Sequence, residues 1–309
     1  MKKDFISLAD FSPQEQSDLL DLAVALKAEQ RAGKAQPRLA GKTLAMVFQK
    51  PSLRTRVSFE ISMHQLGGKA LYIAPEEIQL GKRESVPDVA RVLSRYVDGI
   101  MARVFSHQDL LTMAQWASIP VINGLSDYNH PCQAMADLLT IREHLGTLRG
   151  VRLVYLGDGN NVLHSLMAAA ANAGMQLVAA VPDGYKPLPE VVAWAQTRAQ
   201  QTGAQIELVE DARSAVRGAD MLYTDTWTSM GQEAEAAVRR QVFPPYQINA
   251  QLLALAKPGA GVMHCLPAHR GEEITDEVAD GAQSWLFDQA ENRMHAEKAV
   301  LVRILGDSG

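Results

Sequence analysis

TLAMVFQKPSLRTRVSFEISMHQLGG, residues 43–68, holds the alternation that decides the fold. TLAMVF is a short apolar run of strand length. Pro51 breaks it, and Ser52 is a residue type that caps helix N-termini by accepting a hydrogen bond from the first turn. Beyond the cap, Val57 and Ile61 recur at helical spacing as far as Gly67, whose backbone freedom suits a helix end. Strand, loop and helix follow one another within one short stretch. Working outward, the same alternation repeats. Further strands are predicted at ALYI (70–73), GIMARV (99–104) and PVING (120–124). A second series covers LVYLG (153–157), LVAAV (177–181), IELVE (206–210), MLYTD (221–225), GVMHC (261–265) and SWLFD (284–288). Helical spacing fills the intervals, as at Met135, Leu138 and Leu139. Strands alternating with helices predict an α/β protein of two doubly wound domains, each with a mainly parallel sheet flanked by helices.

The break between the domains is placed at HLGTLRG, residues 144–150. Before it, a helix starts at His130–Pro131, with proline where its missing N–H costs nothing. Gly146 closes that helix. The first domain is therefore 1–145 and the second 146–288. QAENRMHAEKAVLVRIL, 289–305, repeats Met294, Ala299, Val302 and Leu305 on one helical face. The C-terminal helical segment, 289–309, is expected to pack back on the first domain.

Composition narrows the function. The 309 residues suit two domains of ~100–200 residues. The formal net charge is −5 and no segment is strongly basic, which argues against nucleic acid as partner. No apolar run approaches the ~18–20 residues that cross a bilayer, so no membrane partner is expected. The start, MKKDFISLADFSPQEQ, lacks the apolar core of a secretion signal, so a cytoplasmic location is expected. Cys132 and Cys265 are the only cysteines. No disulfide is expected between them in a reducing compartment, and there is no zinc-type cluster. Each reads first as a small buried apolar residue. No metal and no cofactor is expected.

Open parallel sheets bind ligands outside the carboxyl ends of their strands. Unusual polar residues collect at those ends here: QKPSLRTR (49–56), Arg103, DYNHPCQ (127–133), DGNN (158–161), Asp225 and His264-Cys265-Leu266. Should both sheets direct those edges at one cleft, the groups converge. Arg54 and Arg56 stand in the first turn of a helix whose N-terminus already carries about half a positive charge. A bound phosphate would remove the conflict, held by N–H groups, the Ser52 and Thr55 hydroxyls and guanidinium forks. The alternative is that both arginines face solvent or pair with carboxylates. His130 reads either as a helix-capping neutral imidazole or as a donor to a polarised carbonyl, with Gln133 beside it. Gly157-Asp158-Gly159 resembles part of a dinucleotide loop. However, His164 and Ser165 stand where glycines are wanted, and only Asp183 offers the acidic partner.

Four segments together resemble the aspartate/ornithine carbamoyltransferase family, on its ornithine side. Ser52-Leu53-Arg54-Thr55-Arg56 matches its Ser-x-Arg-Thr-Arg motif. His130-Pro131-Cys132-Gln133 matches His-Pro-x-Gln. The stretch from Asp225 to Ser229-Met230-Gly231 matches Asp-x-x-x-Ser-Met-Gly, and His264-Cys265-Leu266-Pro267 matches His-Cys-Leu-Pro. Order and spacing agree from about residue 40 to residue 300.

The resemblance implies transfer of a carbamoyl group from carbamoyl phosphate to the side-chain amine of L-ornithine. It implies that Ser52, Leu53, Arg54 and Thr55 bind phosphate and that Arg103 bridges phosphate and carbamoyl oxygen. His130, Pro131, Cys132 and Gln133 would hold the carbamoyl group. Gln79 would reach it from a neighbouring subunit, and Arg293 from the last helix. Cys265 and Leu266, grouped with the carbamoyl-phosphate contacts, would line the pocket for the amine. Asn161, Asp225, Ser229 and Met230 would hold the amino-acid head. Catalysis would fall to Arg54, Arg103, His130 and Cys265, with closure of the domains and movement of the 229–231 loop. A homotrimer, or a multiple of trimers, with sites at subunit borders is implied. Leu53 departs from the threonine of many relatives. Rival readings are a carbamoyltransferase for putrescine, N-acetylornithine or aspartate, a dinucleotide oxidoreductase built on GDGNN, and a non-catalytic anion-binding protein.

Overall fold

The computed structural model describes residues 4–229 and 231–306. The chain forms two compact units, one of residues 1–139 together with 291–309, the other of residues 140–290. Among the described residues the longer helices are α1 (Pro13–Arg31), α2 (Leu53–Gln65), α3 (Val86–Tyr96), α4 (His107–Trp116), α5 (Pro131–Leu145), α6 (Asn161–Ala173), α7 (Pro189–Thr202), α8 (Ala236–Val242) and α9 (Leu286–Leu305). Both unit boundaries fall inside helices, α5 and α9. Among the described residues no helix is long and apolar enough to cross a membrane.

The first unit is built on β1 (Thr43–Phe48), β2 (Lys69–Ile73), β3 (Gly99–Arg103) and β4 (Val121–Leu125). All pairs are parallel, in the order β2-β1-β3-β4. Leu44 to Phe48 is buried throughout, which is why it reads as an unbroken apolar run. Val47, Ile100, Ala102 and Val121 pack with Val89 of α3 and with Leu110 and Met113 of α4.

The second unit carries β5 (Arg152–Leu156), β6 (Gln176–Ala180), β7 (Gln205–Val209), β8 (Met221–Thr224) and β9 (Gly261–His264), again all parallel, in the order β7-β6-β5-β8-β9. Val154, Leu156, Val178, Leu222 and Val262 form its core. The α/β architecture of two parallel sheets flanked by helices is thus the one expected.

Two sequence expectations need correction. SWLFD is not a strand: Ser284 makes one isolated bridge to Val262, and α9 begins at Leu286. The Trp285 indole instead fills the space over Gly261 and stacks on His144, with ring centroids 4.2 Å apart. Short apolar runs at a helix start and in a strand share one pattern. Second, Val57 and Ile61 do mark a helix, but not its buried face. They are 48% and 37% exposed, and Leu53 is 76% exposed, while Thr55, Phe59, Ser62 and Met63 face inward.

Strand order locates the points where each sheet reverses direction. In the first unit the chain leaves β1 for β2 on one side, then returns to β3 on the other. In the second it leaves β5 for β6 and β7, then returns to β8. Loops diverge at such points and open a crevice at the carboxyl edge. The β1 and β3 ends carry Lys50 to Arg54 and Arg103. The β5 and β8 ends carry Gly157 to Asn161 and Asp225.

Candidate active site

In the first unit, Ser52 caps α2: its Oγ accepts from Thr55 N at 3.3 Å and donates to Thr55 Oγ1 at 3.1 Å. The same Thr55 oxygen accepts from Arg103 Nη1 at 3.4 Å and from Arg293 Nη2 at 3.1 Å. One hydroxyl therefore gathers two guanidinium groups, one from the end of β3 and one from α9. Arg293 also donates from Nη1 to Gln133 Oε1 at 2.8 Å, and Gln133 Nε2 donates to Asp137 Oδ1 at 2.8 Å.

His130 sits at the start of α5 and is 4% exposed. Its pKa lies well below the usual histidine range, first because burial disfavours the imidazolium, then because Arg293, Arg103, Lys50 and Arg54 repel a further cation. It is a neutral imidazole with four positive charges near it. Lys50 is itself buried, and desolvation together with Arg103 lowers its pKa to about 8. A buried cation is costly without a counter-charge, so this cluster suits an anion. Its members come from the loop after β1, the first turn of α2, the end of β3, and α9.

The two arginines of the α2 first turn have separate fates. The Arg54 charge is felt at His130. The Arg56 guanidinium lies 4.0 Å over the Tyr72 ring and 3.7 Å from Glu60, so for Arg56 the expectation of a phosphate contact gives way to carboxylate and ring pairing. The Cys132 thiol is fully buried and donates to Asn123 O at 3.4 Å, and burial pushes its pKa up. The side chain of Leu53 is turned outward. Gln79 is exposed, on the turn after edge strand β2, with φ 45.

In the second unit the focus is Asp225, at the end of β8 and 7% exposed. It accepts from Asn160 Nδ2 at 2.8 Å, Cys265 Sγ at 3.0 Å and Thr226 N at 2.8 Å. The Asn160 bond crosses the reversal point between β5 and β8. The oxygen of the same amide, Asn160 Oδ1, accepts from Val162 N and Leu163 N and so occupies the α6 N-terminus. Gly159 N donates to Tyr185 O at 2.8 Å, and a Cβ on Gly159 would stand 2.3 Å from Pro187 N. The second glycine of GDG is thus needed for the chain's own 185–187 segment. With the helix donors taken as well, the loop lacks the two features that cradle a pyrophosphate.

His264 is fully buried. Its Nδ1 accepts from Leu266 N at 2.9 Å, so the ring proton is on Nε2, 3.0 Å from Glu273 Oε1. This bond holds Leu266 at φ 57, a conformation that costs a side-chain-bearing residue roughly 1–2 kcal/mol. The donor atoms of Asp225, His264 and Cys265 lie within 4.8 Å of one another, a spacing that could ligate a metal ion. Both ring nitrogens of His264 are already committed, however, which argues for a positioning role. Ser229 N donates to Gln232 Oε1 at 3.3 Å. Met230 lies outside the described residues.

Comparison with known proteins joins the two halves. The description of the model matching residues 3–143 is the carbamoyl-P binding domain of aspartate/ornithine carbamoyltransferase. That of the model matching residues 149–304 is the Asp/Orn binding domain of the same proteins. The chain belongs to the aspartate/ornithine carbamoyltransferase family. The ornithine carbamoyltransferase of Pyrococcus abyssi (strain GE5 / Orsay) is 55% identical over 304 residues, covering 98% of this chain and 96% of that protein. A solved ornithine carbamoyltransferase from Pyrococcus furiosus superposes with a TM-score of 0.96 at 53% identity, covering 98% of this chain and 97% of that one. The ornithine transcarbamoylase of Giardia lamblia keeps a TM-score of 0.90 at 35% identity, covering 100% of both chains.

For this carbamoyltransferase, sequence reasoning passed over several residues. Lys50 was hidden beside Pro51 among the more conspicuous arginines. Asn160, part of the DGNN stretch, was not singled out beside Asn161, which opens α6 and whose carbonyl accepts from Ser165 Oγ at 3.2 Å. The N-cap preference of asparagine was the available signal. Arg239, buried on α8, pairs with Asp158 at 2.8 Å and donates to Trp227 O at 2.7 Å. It ties the GDG loop to the segment leading into Ser229. No local pattern in the sequence announces that pairing.

Proposed function

We propose that this chain transfers the carbamoyl group of carbamoyl phosphate to the side-chain amine of L-ornithine, giving L-citrulline and phosphate. The observation that carries the reading is the meeting of the Arg103 and Arg293 guanidinium groups at Thr55 Oγ1, with Gln133 held by Arg293 and the buried His130 under the charge of both. In this reading residues 1–145 with 289–309 serve carbamoyl phosphate and residues 146–288 serve ornithine. Ser52, the Leu53 N–H, Arg54 and Thr55 take the phosphate. Arg103 and His130 donate to the carbamoyl oxygen as it gains charge, like an oxyanion hole. Gln133 and Arg293 fix the carbamoyl plane. Asp225, with Asn160, Asn161, Ser229 and Met230, takes the α-amino acid head. The neutral amine attacks the carbamoyl carbon, the carbon–oxygen bond to phosphate breaks with its electron pair leaving on phosphate, and the proton shed by the amine is taken up by the departing phosphate. A free amine with pKa about 10.4 is mostly protonated at neutral pH, so the pocket must favour the neutral form. Cys265, hydrogen-bonded to Asp225, lines the path of that amine.

The decisive assay is citrulline formation from carbamoyl phosphate and ornithine, run beside putrescine, N-acetylornithine and aspartate. Absence of citrulline, or faster turnover of another amine, sinks the reading. Cys265→Ser is expected to raise the KM for ornithine about tenfold while moving that for carbamoyl phosphate less than about twofold. The reverse pattern would remove Cys265 from the amine pocket.

We also place the chain in a homotrimer or a multiple of trimers, with Gln79 serving a neighbour's site. The exposed Gln79 turn and the exposed Leu53, Val57 and Ile61 support this, since contiguous apolar surface marks association. A monomeric mass in solution would end it. The thiols of Cys132 and Cys265, hydrogen-bonded to Asn123 O and to Asp225, suit a reducing compartment such as the cytoplasm.

A further inference from the structure

Behind the cationic ring of the first unit lies a carboxylate that the reaction as described does not use. Glu297 stands one turn after Arg293 on α9 and is fully buried. Arg293 Nε donates to Glu297 Oε1 at 3.2 Å, while the two outer nitrogens of the same guanidinium serve Gln133 and Thr55. Gln133 continues the chain to Asp137, which is also fully buried. An amide that turns its oxygen to an arginine and its nitrogen to a carboxylate has one orientation only. The run Glu297–Arg293–Gln133–Asp137 therefore fixes both the plane of a guanidinium and the direction of an amide.

Packing alone does not call for Glu297. Ion pairs buried in this way are often matched in stability by apolar residues of similar volume. Burial raises its pKa to about 7, against the pull of the Arg293 charge and a hydrogen bond from Ser58. The groups facing it are Arg293 on its own helix, Ser58 on α2 and the Cys132 thiol on α5. What the carboxylate does supply is a fixed acceptor on the Nε edge, with Nη2 also 3.2 Å from the same Glu297 oxygen. A guanidinium is a rigid fork, so fixing one edge aims the other two donors.

We propose that Glu297 is a positioning residue, which aims the Arg293 guanidinium at Thr55 and Gln133 and acts on the reaction through Arg293 alone. The proposal rests on the role given above to Arg293. It has a distinctive kinetic consequence. Removing Glu297 takes a negative charge away from an anion site, so anion binding does not weaken, yet the donors to the carbamoyl group lose their aim. Turnover falls while affinity holds.

The test uses Glu297→Met and Glu297→Gln in the full chain. Glu297→Met is expected to lower kcat about tenfold with the KM for carbamoyl phosphate unchanged or lower, and with sulfate inhibiting as well as before or better. Glu297→Gln, which keeps an acceptor for Nε, should recover most of the turnover. Arg293→Met and the double variant Arg293→Met/Glu297→Met complete the cycle. Once Arg293 is gone, losing Glu297 should change kcat less than about twofold. Undiminished turnover in Glu297→Met overturns the proposal, as does a double variant far slower than Arg293→Met. Should Glu297→Met fail to fold, the apolar pair of the double variant keeps the comparison available. A wrong reading of the reaction itself appears separately, as unaltered protein that makes no citrulline.

Discussion

Arg54→Ala should fold as the parent does, melt at the same or a slightly higher temperature, and lose a hundredfold to a thousandfold in kcat/KM for carbamoyl phosphate. The loss corresponds to one charged donor withdrawn from a developing anion, about 2.7–4 kcal/mol. The stability change should have the opposite sign. Arg54 is half-buried in the first turn of α2, behind the Ser52 cap. A cation there opposes the helix dipole, typically by about 0.3–1 kcal/mol, and alanine removes that penalty. Activity and stability moving apart is characteristic of a residue kept for its chemistry. Thermal melts and steady-state kinetics on one preparation measure both. Near-normal turnover would free Arg54 of its assigned role. A large drop in melting temperature would make it a structural residue. Arg56→Ala is the internal control, since its guanidinium is engaged with Tyr72 and Glu60.

Asp225→Asn is expected to reduce kcat/KM for ornithine by a hundredfold or more and to leave carbamoyl-phosphate affinity within about twofold. Cutting one partner of a buried, hydrogen-bonded charge pair costs about 2–5 kcal/mol. The geometry adds a second cost. Asp225 receives three donors, from Asn160, Cys265 and the Thr226 backbone. An amide accepts on one side only, so at least one donor must turn away. Norvaline, which has the amino-acid head of ornithine and no side-chain amine, separates the roles. If Asp225 holds the head, norvaline inhibits the parent and not the variant. Equal inhibition of both would shift Asp225 to the side-chain amine.

Much of the site was legible because loops after parallel strands are short and start from fixed points. Ser52, His130, Asp225 and Cys265 could be placed at strand ends from the alternation alone. Which of two neighbouring candidates faces inward could not. Successive helical residues turn by about 100°, so Arg54 and Arg56 diverge widely, and only packing selects between them. Asn160 and Asn161 pose the same problem at a helix start. The Arg239–Asp158 pair spans 81 positions in the chain, a distance over which local periodicity is silent. Val57 and Ile61 show the converse: the period was right, but an apolar residue can sit on an exposed face. The Ser284–Asp288 run failed because a tryptophan seated on a glycine looks, in one dimension, like a strand.

The first unit contains segments from both sides of the second: residues 1–139 and residues 291 onward. On the ribosome those segments do not emerge together. Domains tend to fold as units, usually from the amino end, yet here the middle of the chain is available in full before the first unit receives α9. A chain held on the ribosome by a C-terminal linker long enough to bring residue 290 clear of the exit tunnel should already shield residues 140–290 from protease while residues 1–139 stay cleavable. Protection in the opposite order would show that the first sheet needs no help from its final helix. With the role proposed for Arg293, the carbamoyl-phosphate site is complete only once α9 has joined the first unit.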